Sequence, residues 1–159
     1  MKQFAVTILS LLFILSSSQC EKESPYGHLK VTVTYPEAVY ENGTKYWIDV
    51  PGMGAEVRLY DPDAQCLGIR DARIDVAWID GNPIGADYVK ISNEKGEAVF
   101  TDIPTGEYYL IVFSGEITKY TEKYIKIDSG DTLNLAKNFT PDLAYFNNLE
   151  PWDHEVPGD

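Results

Sequence analysis

Apolar residues recur at every second position through most of this chain, with polar residues filling the places between. In HLKVTVTY (28–35), Leu29, Val31 and Val33 share one face, and Lys30, Thr32 and Thr34 the other. GAEVRLYD (54–61) turns Ala55, Val57 and Leu59 inward and Glu56 and Arg58 outward. RIDVAWID (73–80) aligns Ile74, Val76 and Trp78. YVKI (88–91), TEKYIKI (121–127) and TLNLAKNF (132–139) continue the same two-residue period, and no window shows a 3.6-residue stripe. Period two is the mark of strands with one face buried. Short strands separated by Gly, Pro and Asn predict an all-β sandwich.

The stretch ISNEKGEAVFTDIPTGEYYLIVF (91–113) organises that prediction. Asn93-Glu94-Lys95-Gly96 has turn chemistry, and Gly96 is free to take a positive φ. Glu97–Thr101 follows, with Ala98 and Phe100 on one face. Pro104-Thr105-Gly106 makes a second turn. Glu107–Phe113 then carries Tyr108, Leu110 and Val112 on one side and Tyr109, Ile111 and Phe113 on the other. Apolar residues on both sides predict a central strand covered on both faces.

One connection is long. PEAVYENGTKYWIDVPGM (36–53) joins the first two core strands. A structureless loop of that length is unusual in a compact domain. Asn42-Gly43 is a strong two-residue hairpin signal. It pairs Glu41 with Thr44, Tyr40 with Lys45, Val39 with Tyr46, and Ala38 with Trp47. The expected element is a projecting β-hairpin bearing Tyr40, Tyr46 and Trp47, which are candidate contacts for a protein or glycan. The alternative is that the hairpin folds over a sheet edge and buries them.

The front of the chain carries an address. MKQFAVTILSLLFILSSSQC begins with a positive charge at Lys2, and its apolar run from Phe4 to Leu15 is shorter than the ~20 residues a bilayer requires. This is the form of a cleaved secretion leader. LSSSQC resembles the lipobox of bacterial lipoproteins, with Gln19 bulkier than the usual small residue. That resemblance implies that Cys20 is acylated and becomes the mature N-terminus. The partner there is a membrane, held by several acyl chains, since a single chain binds only marginally. Glu21-Lys22-Glu23 is loosely similar to the acidic segment that accompanies surface export in some Gram-negative lipoproteins. The implied location is the cell envelope, at the outer membrane and surface-exposed. An ordinary leader with an incidental cysteine is the alternative. The organisation is then a leader over 1–19, acylated Cys20 and tether over 20–27, a sandwich over 28–139, and a tail rich in Pro and acid over 140–159.

Charge narrows the partners. The formal net charge is −12, and loss of Lys2 with the leader takes it to −13. That balance disfavours nucleic acid and docking on anionic lipid. With Cys20 lipidated, Cys66 is the remaining cysteine, so no disulfide framework forms. In DAQCLGI it reads as a small buried hydrophobe.

Catalytic chemistry has little to work with. There are two histidines, His28 at a strand start and His154 in the tail. The chain has no G-x-S-x-G elbow, no H-E-x-x-H pair and no phosphate-cradling Gly loop. Asp61-Pro62-Asp63 with Asp71 lacks the glycine of a calcium loop, and Asp80-Gly81-Asn82 reads as a turn. Asp153-His154-Glu155 reads as a solvated charge cluster. No catalytic residue, cofactor or metal site is expected. Asp131-Thr132-Leu133 resembles a three-residue O-glycosylation signal of some Gram-negative secreted proteins, which makes Thr132 a candidate modification site.

A family resemblance rests on three segments: Gly54-Ala55-Glu56-Val57-Arg58-Leu59-Tyr60, Gly96-Glu97-Ala98-Val99-Phe100, and Ile103-Pro104-Thr105-Gly106-Glu107-Tyr108-Tyr109-Leu110. Together they resemble the prealbumin-like sandwich domains, among them carboxypeptidase regulatory-like domains and collagen-adhesin B-type repeats. The resemblance covers about residues 28–139. It implies a seven-stranded Greek-key sandwich, here with an inserted hairpin, serving as a binding module, spacer or scaffold. Adhesin repeats often carry a Lys–Asn crosslink helped by a buried Glu in an E-x-x-A-P-x-G-Y segment. That segment is absent, and Lys30, the first-strand lysine, points outward with Asn138 in the last strand.

Overall fold

A computed structural model of the chain describes residues 25–66, 77–115, 119–140 and 149–152. Cys20 with its lipobox-like stretch, the segment containing Ile74 and Val76, and the Asp153-His154-Glu155 cluster lie outside them. The described residues form ten strands and no helix.

Two sheets face each other. In the first, β1 (Tyr26–Glu41) lies between β7 (Glu97–Pro104), antiparallel, and β10 (Thr132–Asn138), parallel. The second has the order β6 (Tyr88–Ile91), β3 (Glu56–Tyr60), β8 (Gly106–Phe113), β9 (Tyr120–Ile127). These seven strands are the all-β Greek-key sandwich that the alternation and the family resemblance imply. β2 (Thr44–Pro51) is the additional hairpin arm on β1. Leu29, Val31 and Val33 from β1 meet Val57, Leu110 and Val112 from the other sheet in the main hydrophobic core. Full burial of side chains of this size stabilises by about 1.5–3 kcal/mol each.

A second, smaller core lies on the outer face of sheet two. β4 (Ala77–Ile79) and β5 (Asn82–Ile84) form a short hairpin through Asp80 and Gly81, both at positive φ. Together with the 61–66 segment it covers Tyr60, Tyr109, Ile111 and Phe113. So β8 is buried on both faces, as its sequence predicts. Two expectations change here. Arg58 was expected to face solvent, yet it is buried, its guanidinium 4.9 Å from the Phe113 ring and paired with Glu56 at 2.7 Å. Its side of the strand is indeed opposite Leu59, but a flap covers that side. And the described part of the expected 73–80 strand, Ala77–Ile79, belongs to this flap instead of either sandwich sheet.

The C-terminal segment is seated on the sandwich. Leu149 bridges to Tyr120, and Trp152 packs against the main core. Between them Glu150 is fully buried with Lys119 and Lys137. Lys137 Nζ lies 2.8 Å from Glu150 Oε1, and Lys119 Nζ lies 3.3 Å from Oε2. Thr140 donates its N–H to both carboxylate oxygens at 3.1 Å and its hydroxyl to Oε2 at 2.9 Å. Lys137 also donates to the Pro151 carbonyl at 2.7 Å. Two buried cations thus hold one buried anion that arrives from a distant part of the chain.

Candidate functional site

The β1–β2 hairpin forms in the register read from Asn42-Gly43. Glu41 pairs with Thr44, Tyr40 with Lys45, Val39 with Tyr46 and Ala38 with Trp47. Asn42 and Gly43 both adopt positive φ, the requirement of a type I′ turn. β10 and β7 accompany β1 only as far as Thr34 and Thr32. Beyond that the hairpin is a two-stranded ribbon running about 23 Å past the sandwich. Among the described residues, no strand pairs with the outer edge of β2.

Its base is anchored by short contacts. The Ser92 hydroxyl donates to the Gly52 carbonyl at 2.5 Å and accepts from the Ala55 N–H at 2.8 Å, tying the end of the hairpin to the start of β3. The Gly52 N–H donates to the Val33 carbonyl, and Gly96 packs against the same carbonyl. Asn138 on β10 donates its amide to the Asp49 carboxylate at 3.0 Å. This occupies Asn138, while Lys30 pairs with Glu97. Lys30 and Asn138 therefore face different neighbours, and on β1 they lie four positions apart in register.

The aromatics of the ribbon are open to solvent. Tyr40 is 72% exposed, Trp47 52% and Tyr46 49%. The hairpin does not fold over a sheet edge to bury them. The register also separates them, because paired residues share a face. Tyr40, Lys45 and Trp47 lie on one side, where the Lys45 ammonium sits 4.1 Å from the Trp47 ring centre. Tyr46 lies on the other, with Tyr35, Val39, Ile48 and Val50. That second face has the parity of Leu29, Val31 and Val33. It is the core face of β1, continued past the point where sheet two stops covering it.

The remaining candidates occupy separate places. Thr132 opens β10, is exposed, and pairs with His28. His28 Nδ1 accepts the Asp102 N–H at 3.3 Å. Asp61 closes a local turn, accepting the Asp63 N–H at 2.9 Å. Cys66 is half-buried instead of fully enclosed, at the margin of the second core. No group of three or more His, Cys, Asp or Glu with metal-binding geometry occurs among the described residues. Sequence reasoning missed the buried Glu150 cluster. A signal was present: in Leu133, Leu135, Lys137, Phe139 a lysine occupies the apolar face of an alternating strand, where an ionised group requires a partner.

Two solved structures are similar to this fold. One is GBS52, the minor pilin of Streptococcus agalactiae, at 15% identity and TM-score 0.40. The match covers 86% of this chain and 50% of the pilin, so the chain spans half that protein's length. The other is a candidate carbohydrate-binding protein from Pseudomonas aeruginosa, at 13% identity and TM-score 0.41, covering 76% of this chain and 92% of that one. No protein-family model and no curated protein matches the chain.

Proposed function

We propose that this chain is a non-catalytic binding module of the cell envelope, lipid-anchored through Cys20, which meets a protein or glycan with its β1–β2 hairpin. The observation that carries the reading is the uncovered apolar ribbon. A projecting two-stranded arm with Tyr35, Tyr46 and Ile48 on one face and Tyr40 and Trp47 on the other gains nothing in stability from leaving them in water. Contiguous exposed apolar surface of this kind marks contact sites, and Tyr and Trp contribute much of the energy at such contacts. The leader-like first twenty residues and the lipobox resemblance support that location, and the acidic balance argues against nucleic acid as the ligand.

The test divides the hairpin by face. Tyr40→Ser with Trp47→Ser alters one side, and Tyr46→Ser with Ile48→Ser the other. Ligands are captured on glycan arrays and from surface extracts. At least one double variant is expected to lose retention about tenfold or more, with its melting temperature unchanged. A fall in stability with retention intact would sink the reading, because the aromatics would then be packing. If neither variant alters capture or stability, the alternative gains: a structural spacer or accessory subunit of a surface assembly. The outer edge of β2, unpaired among the described residues, suits that role, since such an edge can accept a strand from a neighbour.

A further inference from the structure

A second exposed aromatic lies far from the hairpin. Tyr124, on the edge strand β9, is 62% exposed. It borders a cleft of about 390 Å³ lined by Gln65, Cys66, Tyr109, Glu122, Lys123 and Tyr124. That volume falls within the ordinary range of small-molecule sites. The floor is Tyr109 of β8, which is buried, with its ring 5.2 Å from that of Tyr124 and inclined at 37°. The Tyr109 hydroxyl donates to Glu122 Oε2 at 2.5 Å. Burial, and then the Glu122 carboxylate, push the Tyr109 phenol well above the usual tyrosine value. It therefore remains a donor across the physiological range and holds Glu122 in place.

The opposite wall is equally fixed. Gln65 exchanges two backbone hydrogen bonds with Trp78, at 2.9 and 2.8 Å. This locks its main chain while its side chain stays exposed. Glu122 has one side-chain partner among the described residues, Tyr109, so its carboxylate retains acceptor capacity. The cleft thus offers a flat aromatic face, a carboxylate acceptor and a carboxamide that both donates and accepts.

We propose that this cleft is a binding site for a neutral pyranose ring, stacked on Tyr124 with its hydroxyls hydrogen-bonded to Glu122 and Gln65. The weakly polar C–H face of a pyranose matches an aromatic ring. Vicinal hydroxyls donate to a carboxylate through charge-assisted bonds. Lys123 also borders the cleft, but it pairs with Leu110, on the opposite side of the sheet from Tyr124, and its ammonium lies 5.6 Å from the Trp152 ring. The Glu122 carboxylate and the chain's net charge of −12 therefore select against uronic and sialic acids. The site is independent of the hairpin and does not require it.

The test uses the purified protein with methyl glucoside, methyl galactoside, N-acetylglucosamine and glucuronic acid at millimolar concentration, read by chemical-shift changes and saturation transfer. At least one neutral pyranoside is expected to bind, and glucuronic acid more weakly. Tyr124→Ala should weaken binding about tenfold, and Tyr124→Phe should restore it because the stacking face returns. Glu122→Gln should weaken it to a similar degree. The hairpin variant Tyr40→Ser with Trp47→Ser should leave it unchanged. Absence of binding by all three neutral sugars, equal binding of glucuronic acid, or full affinity in a folded Tyr124→Ala protein overturns the proposal. Should Glu122→Gln fail to fold, the contrast between Tyr124→Ala and Tyr124→Phe still decides it.

Discussion

Replacing Glu150 with alanine is expected to lower stability by about 3–5 kcal/mol, measured by urea denaturation at neutral pH. The change removes the carboxylate that, among the described residues, pairs with both buried ammonium groups, on Lys119 and Lys137, and it takes an acceptor from the Thr140 N–H. Uncompensated buried charge is what makes breaking such a cluster costly, more than any attraction lost. A combined Lys119→Met, Lys137→Met, Glu150→Leu variant is therefore expected to recover most of the loss. A Glu150→Ala protein within 1 kcal/mol of wild type, on the scale of an exposed ion pair, would show that the segment 149–152 is not held in this way.

The same cluster predicts a pH dependence. Burial alone would raise the Glu150 carboxyl, but Lys137 and Thr140 outweigh it and hold the group below the ordinary value of 4.5. A carboxyl depressed by folding contributes stability that is complete above its unfolded value and lost as pH falls through its folded value. The stability difference between wild type and Glu150→Ala should therefore be flat above about pH 4.5 and shrink below it. A difference that instead grew on acidification would contradict the assignment.

Gly96→Ala is expected to cost about 3 kcal/mol or more. Gly96 has φ +74°, which an L-residue adopts only under strain, and a Cβ there would lie 2.3 Å from the Val33 carbonyl oxygen and 2.9 Å from the Gly52 nitrogen. Both neighbours are backbone, at the point where the hairpin leaves the sandwich, so neither can swing aside. Gly130→Ala is the control, with φ +71° and nothing within 4 Å. It carries only the left-handed penalty of about 1–2 kcal/mol. Equal melting temperatures for the two variants would remove the argument from close approach. A larger loss at Gly96 would place the hairpin base among the structurally demanding positions of the fold.

Much of this architecture is legible in the sequence. Leu29, Val31 and Val33 are buried as their alternation requires, and so are Val57, Leu59, Ala98 and Phe100. The hairpin register follows from Asn42-Gly43, because a two-residue turn leaves one pairing for the strands it joins. Other features were not legible. Arg58 sits opposite Leu59 as expected, but its environment is set by residues that fold back over sheet two. Tyr40, Tyr46 and Trp47 read as one aromatic group along the chain, whereas pairing places Tyr46 on the opposite face. The Tyr124 cleft joins Gln65 to strand β9 across more than fifty residues of chain and had no local signal.

By itself the sequence determined which side chains share a face of each strand, where the chain turns, and that one loop is a hairpin. These follow from short-range stereochemistry: a two-residue pleat and the few residues able to adopt positive φ. Only the tertiary structure decided what covers each face. A strand's alternation is the same whether its second side meets water, a flap or a buried carboxylate from elsewhere. For that reason Arg58 and Lys137 are buried while Tyr40 and Trp47, on a ribbon that outruns its partner sheet, are left open to solvent.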